Sequence, residues 1–332
     1  MDEKKKPSIV DVAKWAGVST ATVSRVINHN GGYSRETEEK VKKAVNECEF
    51  TPNANAIGLR TNKSRCIGVI VPDVTNEFFA RIIQELDFYL LKHKYSLLIC
   101  NSNEDYELEN MHIRGLIEKH IDGIVNISGQ NEIKEISEIK NLPIVYIDRA
   151  PKNAEVLILS DNETGGYLAG RELIAKGCTK ILFLRDIRYA STIRSRKEGF
   201  IRALGENGIS FSEELEMSCF PEYEETRGVM ERLLREKGCF FDGIFTTNDM
   251  MALACINVLM ENRIKVPDQV RVVGFDNISL SQFASPQITT IAQDTKELAL
   301  HAGETILKMI EGKEIRKKKT IIPVRLIARG TT

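Results

Sequence analysis

Apolar residues recur along the chain at two different periods. Ile9, Val12, Ala13 and Ala16 stand at helical spacing, Gly17 breaks the run, and Val23, Val26 and Ile27 resume it behind Ser19. The pattern predicts two short helices joined by a tight turn. Gly17 suits the left-handed conformation of such a turn, Val18 fills a small core, and Ser19 or Thr20 can accept from free N–H groups. A third helix is predicted from Glu36 to about Glu47, with Val41, Ala44 and Val45 closing a three-helix core.

From Cys66 onward the pattern changes. Short apolar runs ("CIGVIVP", "YSLLIC", "IDGIVNI", "LPIVYID", "VLILS", "KILFL", "GIFTT", "RVVGF") alternate with helical segments, as in parallel sheets buried on both faces. There are enough runs for two sheets, one up to about Leu159 and one after it, with the chain crossing between them near Thr290 and again near Thr320. "TIIPVRLI" reads as the last strand. The expected fold is a small all-α helix-turn-helix headpiece plus an α/β core of two doubly wound parallel-sheet lobes. The headpiece takes residues 1–50, a hinge or linker 51–64, and the core 65–332. Within the core, one lobe takes about 65–159 plus 291–319, the other about 160–290 plus 320–332.

Charge sharpens this division. The whole chain has a net charge of −1, yet residues 1–65 hold 12 Lys and Arg against 8 Asp and Glu, leaving 34 against 39 for the rest. The basic end is the one whose second helix turns Thr20, Ala21, Thr22, Ser24 and Arg25 outward. Small and hydroxylated side chains let a helix sit deep in the major groove, where an Arg can bond a guanine bidentately. Any small helical pair shows a similar pattern, so the residues themselves must decide. Composition adds exclusions: 42% hydrophobic and 28% charged residues are those of a soluble globular protein, and no run of about 18 apolar residues occurs. The seven cysteines include no C-x-x-C pair, which fits a reducing cytoplasm and argues against a metal site or disulfide framework.

The chemistry of the core favours binding over turnover. The first strand runs into "PDVTNEFF", with no G-x-G-x-x-G and no Walker lysine, and no Ser sits in a G-x-S-x-G elbow. No enzyme activity, cofactor or metal is expected. Polar residues stand instead at strand ends: Asp148 and Arg149 after "PIVYI", Asp161 after "VLILS", Asn248 and Asp249 after "GIFTT", Asp276 ending "RVVGFD". Carboxylates and amides bond paired hydroxyls, Arg donates in a fork, and Phe78, Phe79 (in the first strand-helix loop) and Phe220 could cover the apolar face of a sugar. Asp161 and Asp249 serve equally well as helix caps.

Longer stretches carry a resemblance. "DVAKWAGVSTATVSRVIN" and "SRETEEKVKKAVNECEFTPNANAIGLRT" closely resemble the headpiece of the lactose- and galactose-repressor family of bacterial transcription regulators. "IGVIVPDVTNEFFARI", "YSLLICNSNED", "TTNDMMALACINVLMENRIKVPDQVRVVGFDN" and "SPQITTIAQD" resemble its sensor core, whose fold is that of periplasmic sugar-binding proteins. The resemblance implies that Thr20, Ala21 and Arg25 read bases, while Ser8, Ser19, Thr22, Ser24, Asn28 and Ser34 touch the DNA backbone. It makes "PNANAIGLRT" a hinge that becomes a minor-groove helix on DNA, with Asn53, Ala56 and Leu59 at the DNA and Leu59 as the wedge that kinks it. Ile57 and Gly58 depart from the Arg and small polar residue common there, which predicts a weaker or more DNA-dependent hinge helix. In the core it implies effector contacts from Phe78, Phe79, Asp148, Arg196, Phe220, Asn248, Asp276 and Gln293. If Arg194 faced the cleft beside Arg196, a sugar acid or sugar phosphate would be favoured over a neutral sugar.

The whole implies a homodimer that places two headpieces on a pseudopalindromic double-stranded operator, with a sugar-like effector between the core lobes altering DNA affinity. No leucine heptad follows the last strand to tie dimers into tetramers. A dimer face is expected on helices such as Glu77 to His93, although a helix apolar on two faces can also be buried within one lobe. The rival readings are a sugar-binding sensor or an enzyme without DNA binding. The first would leave residues 1–60 unexplained, and the second would need a nucleophile-base pair that the sequence does not offer.

Overall fold

The computed structural model describes residues 7–28, 30–50, 63–128, 142–151, 154–188 and 190–332. The hinge positions Asn53, Ala56, Ile57, Gly58 and Leu59 lie outside the described residues. The chain forms two units, Met1–Ser64 and Arg65–Thr332.

In the first unit α1 spans Ile9–Ala16, α2 Thr20–Ile27 and α3 Arg35–Glu47. Gly17 ends α1 at φ 66°, ψ 32°, and the Val18 N–H returns to the Ala13 carbonyl at 3.1 Å, which closes the last turn. α3 starts one residue before Glu36 because the Ser34 hydroxyl accepts from the Thr37 N–H at 3.2 Å. Val12, Val23, Val41 and Ala44 are fully buried between the helices, with Ala13 and Val26 beside them.

The second unit holds two sheets. β1 (Cys66–Val71), α4 (Glu77–Lys92), β2 (Ser96–Asn101), α5 (Tyr106–Glu118), β3 (Gly123–Asn126), β4 (Ile144–Ile147) and β5 (Leu157–Ser160) build the first lobe. α6 (Asn162–Ala175), β6 (Ile181–Asp186), α7 (Ser191–Glu206), β7 (Glu216–Cys219), α8 (Tyr223–Lys237), β8 (Gly243–Thr246), α9 (Asp249–Glu261), β9 (Arg271–Asp276), α10 (Leu280–Phe283) and β10 (Thr289–Ala292) build the second. The chain then returns through α11 (Thr295–Ile310) and β11 (Lys319–Ile322) to the first lobe, and ends with β12 (Arg325–Ile327) in the second. Strand order is β2-β1-β3-β4-β5-β11 in one sheet and β7-β6-β8-β9-β10-β12 in the other. All pairings are parallel except β10 with β12.

Three details correct the sequence reading. "TIIPVRLI" is two strands, because Pro323 has no N–H to continue a ladder and stands between β11 and β12. The crossings follow Ala292 and Ile322, not Thr290 and Thr320: Thr289–Ala292 pairs with β9, and Thr320 pairs with Ile158 of β5. Residues 291–292 therefore belong with the second lobe and 320–322 with the first. β7, "EMSC", is an edge strand with none of the apolar run that marks the others, and its Glu216 is held by Arg185 at 2.7 Å and Lys197 at 2.6 Å.

Candidate functional site

On the first unit, Thr20, Ala21 and Arg25 are exposed along α2, while Thr22, Ser24 and Asn28 are half-buried. Three residues assigned to DNA backbone contact also cap helices. The Ser8 N–H and hydroxyl both donate to the Asp11 carboxylate, at 2.8 and 2.7 Å; Ser19 accepts from the Thr22 N–H at 3.1 Å; Ser34 caps α3. Capping and phosphate contact are compatible, since a capped N-terminus still presents free N–H groups and the positive end of the helix dipole. Asn28 ends α2, its amide donating to the Ser24 carbonyl at 2.6 Å.

In the second unit the carboxyl ends of both sheets face a cleft of about 290 Å³. Asp148 follows β4, Asp276 ends β9, Asn248 follows β8, Phe220 follows β7, and Arg196 reaches in from the first half of α7; all line the cleft. Phe78 and Phe79 line it from the first turn of α4, not from a loop. They are 3% and 7% exposed and offer the cleft only an edge of the lobe core. Phe220 is 48% exposed, with the Arg188 guanidinium over its ring 5.8 Å from the centroid. Gln293 is buried behind the wall, where its amide donates to Asp276 Oδ1 at 2.6 Å. Asn248 spends its amide on the protein, capping α9 through the Met251 N–H at 2.8 Å and donating to the Pro221 carbonyl at 3.3 Å.

The ambiguous acids resolve as structural. Asp161 caps α6, accepting from the Thr164 N–H and hydroxyl at 3.1 and 2.8 Å. Asp249 is fully buried, bound by the Thr290 hydroxyl at 2.5 Å and the Ile278 N–H at 2.9 Å. Arg194 is exposed and outside the cleft lining.

Two other cations take its place. Arg149 forks onto Glu104 at 2.5 and 2.6 Å, and Arg188 forks onto Asp186 while reaching Glu104 at 3.3 Å from the opposite lobe. Arg196 donates through Nε to Asn162 Oδ1 at 2.7 Å and through Nη1 to the Thr247 carbonyl at 2.6 Å, lies 3.6 Å from the Phe275 ring centroid, and faces Asp276 at 3.8 Å. All three guanidinium groups thus have protein acceptors. Unpartnered buried atoms remain on both signs, and Arg149 Nε has no acceptor. Asp148 is 5% exposed and its Oδ1 has no hydrogen-bond partner. Burial pushes the Asp148 carboxyl above its ordinary range and the Asp276 carboxyl up to about 6, against the pull of Arg196 on each.

Sequence reasoning missed Glu104, Asp186, Arg188 and Asn162, and it placed Arg149 at a strand end as a fork donor without including it among the effector contacts. The strand-end signal that found Asp148 and Asp276 extends to Asp186, which ends β6, to Arg188 and Asn162, two residues past β6 and β5, and to Glu104 after β2. Among the described residues no cluster of His, Cys, Asp or Glu could hold a metal ion, and no helix is long and apolar enough to cross a membrane.

Comparison with known proteins agrees with this geometry. Residues 8–53 match the model of bacterial regulatory proteins of the lacI family, and residues 171–332 that of a periplasmic binding protein-like domain. The HTH-type transcriptional repressor PurR of Vibrio parahaemolyticus is 36% identical over 98% of both chains. The ribose operon repressor of Halalkalibacterium halodurans is 31% identical over 98% of this chain and 97% of its own. A crystal structure of the lac repressor dimer bound to operator and the anti-inducer ONPF superposes with a TM-score of 0.90, at 26% identity over 99% of both chains.

Proposed function

The chain belongs to the lacI family of bacterial regulatory proteins, DNA-binding transcriptional repressors controlled by a small-molecule effector, and on that premise we propose that its effector is a neutral, hydroxyl-rich molecule. The observation that carries this reading is the state of the cleft's charges. Arg149, Arg188 and Arg196 each donate to protein acceptors, with Arg149 Nε left without one, and buried Asp148 Oδ1 has no donor. A ligand entering this cleft gains by donating hydrogen bonds to Asp148 and Asp276, and an anionic group would compete with the carboxylates and carbonyls that already face each arginine. Of the three classes open from sequence, this favours a neutral sugar over a sugar acid or sugar phosphate. Asp148, Asp276 and Arg196 then hold the hydroxyls, Phe220 covers the apolar face, and Gln293 acts through Asp276.

Thr20, Ala21 and Arg25 read the operator bases in this scheme. Ser8, Ser19, Thr22, Ser24, Asn28 and Ser34 bind its backbone, and Asn53, Ala56 and Leu59 engage the minor groove. The protein works as a homodimer on a pseudopalindromic site in the cytoplasm, and it is a regulator, not an enzyme. Exposed Phe88 and Leu91 on α4, Ile99 on the edge strand β2 and Met111 on α5 supply an apolar surface on the first lobe suited to a second copy.

Calorimetric titration tests the effector class. One of the curated relatives is a ribose operon repressor, so D-ribose heads a panel of neutral pentoses and hexoses set against ribose 5-phosphate and gluconate. A neutral sugar should bind the wild type and lose binding in Arg196→Ala. Tighter binding of the phosphate or the acid would overturn the assignment.

A further inference from the structure

Arg196 is held on several sides, and one of its holders does something the others do not. The Thr247 carbonyl and the Phe275 ring belong to the same lobe as the arginine. Asn162 stands where the chain enters that lobe from the first. Its Oδ1 accepts from Arg196 Nε at 2.7 Å, and its Nδ2 donates to the carbonyl of Ser160, last residue of β5, at 3.2 Å. The intervening Asp161 N–H donates at 2.9 Å to the carbonyl of Ile322, last residue of β11, where the chain crosses between lobes for the third time. The Asn162 carboxamide, 6% exposed, is therefore a short bridge from the cleft arginine to a segment joining two of the three crossings.

Domain closure in a two-lobed protein is absorbed by φ/ψ changes at just such crossing residues. A side chain that bonds both a ligand-facing arginine and a crossing carbonyl gives the ligand a differential contact with the two lobe arrangements, which is what coupling requires. We propose that Asn162 is the positioning residue that fixes Arg196 in the cleft and transmits effector occupancy to the interlobe crossing. The inference rests on the reading of Arg196 as an effector contact.

The two halves of the carboxamide separate experimentally. Asn162→Asp keeps an oxygen for Arg196 and loses the donor to Ser160, whereas Asn162→Ala loses both. The full-length protein, labelled with ¹⁵N-arginine and free of ligand, reports the first half through the Arg196 Nε–H signal, assigned by its disappearance in Arg196→Lys. That signal should persist in Asn162→Asp and shift or broaden away in Asn162→Ala. With D-ribose as the probe, affinity should fall by about tenfold to a hundredfold in Asn162→Ala and stay within about threefold of wild type in Asn162→Asp. In Asn162→Asp, D-ribose should then bind without changing operator affinity, an effect that a purely structural asparagine would not have. An unchanged Arg196 signal in Asn162→Ala, or wild-type coupling in Asn162→Asp, overturns the proposal. If D-ribose fails to bind the wild type, the effector reading fails for that sugar, while the spectra still decide the positioning of Arg196.

Discussion

Arg25 projects from the face of α2 and takes no part in the three-helix core. Its replacement by alanine should weaken specific operator binding by about 10- to 100-fold and leave the melting temperature and effector affinity as they were, which anisotropy and a thermal melt can check together. An equal loss on all DNA sequences would make Arg25 a backbone contact. In the cleft, Asp276 takes up its proton at about 6, against 3.8 ordinarily, because burial outweighs Arg196 and Gln293. The native state then binds more protons than the unfolded chain between about pH 4 and 6. The carboxyl's contribution to stability accordingly grows as pH falls through about 6 and is lost as pH rises. A donor-rich effector prefers the carboxylate, so its affinity should rise by about tenfold from pH 5 to pH 7, the ratio of ionised fractions, and flatten in Asp276→Asn. At this scale the sequence located single residues at strand ends but not their partners: Glu104 and Arg188 lie 84 positions apart and meet only once both lobes are built. Arg194 was resolvable without coordinates. Residues two apart on a helix point about 200° apart, so Arg194 and Arg196 cannot both face one cleft.

Among the elements, α6 and α7 pack with their backbones in near contact. A Cβ on Gly166 would fall 1.9 Å from the Arg196 carbonyl oxygen, and one on Gly199 would fall 1.8 Å from that of Glu163. These two glycines, rather than any loop, set the height of α7 above the cleft. Gly199→Ala should force the helices apart, cost about 1–3 kcal/mol in denaturant unfolding and weaken effector binding through the displaced Arg196. A variant of wild-type stability and affinity would show that the helices can slide without cost. The helical and strand periods were legible wherever apolar runs were long, as in α1, α2, β1 and β9. They failed at β7, whose edge position tolerates polar residues, and at β11 and β12, where one apolar run serves two sheets and Pro323 is the only break.

For the whole molecule, a net charge of −1 is compatible with DNA binding because the basic surplus lies in residues 1–65, and the proposed dimerisation would double it. A single headpiece makes few contacts, and the second binds at the high local concentration set by the first. Phe88→Glu together with Leu91→Glu should therefore yield monomers in sedimentation velocity and lower operator affinity by about a hundredfold or more; dimers of wild-type affinity would place the interface elsewhere. The two-lobed plan could be read from the alternation of strands and helices, since buried parallel strands impose that rhythm. The choice of effector could not, because it depends on which arginines the protein has already engaged.

In the proposed scheme one chain joins sequence-specific DNA binding to a neutral-sugar cleft. Fluorescence anisotropy tests it most directly, using a labelled fragment from upstream of the gene and a scrambled control at two salt concentrations, then repeating the titration with the panel of neutral sugars and their acidic counterparts. Tight, salt-sensitive binding is expected, with at least about a hundredfold preference over the control and a change in affinity of about 5- to 150-fold with one neutral sugar. Equal binding to the scrambled fragment, with every compound of the panel silent, would contradict it.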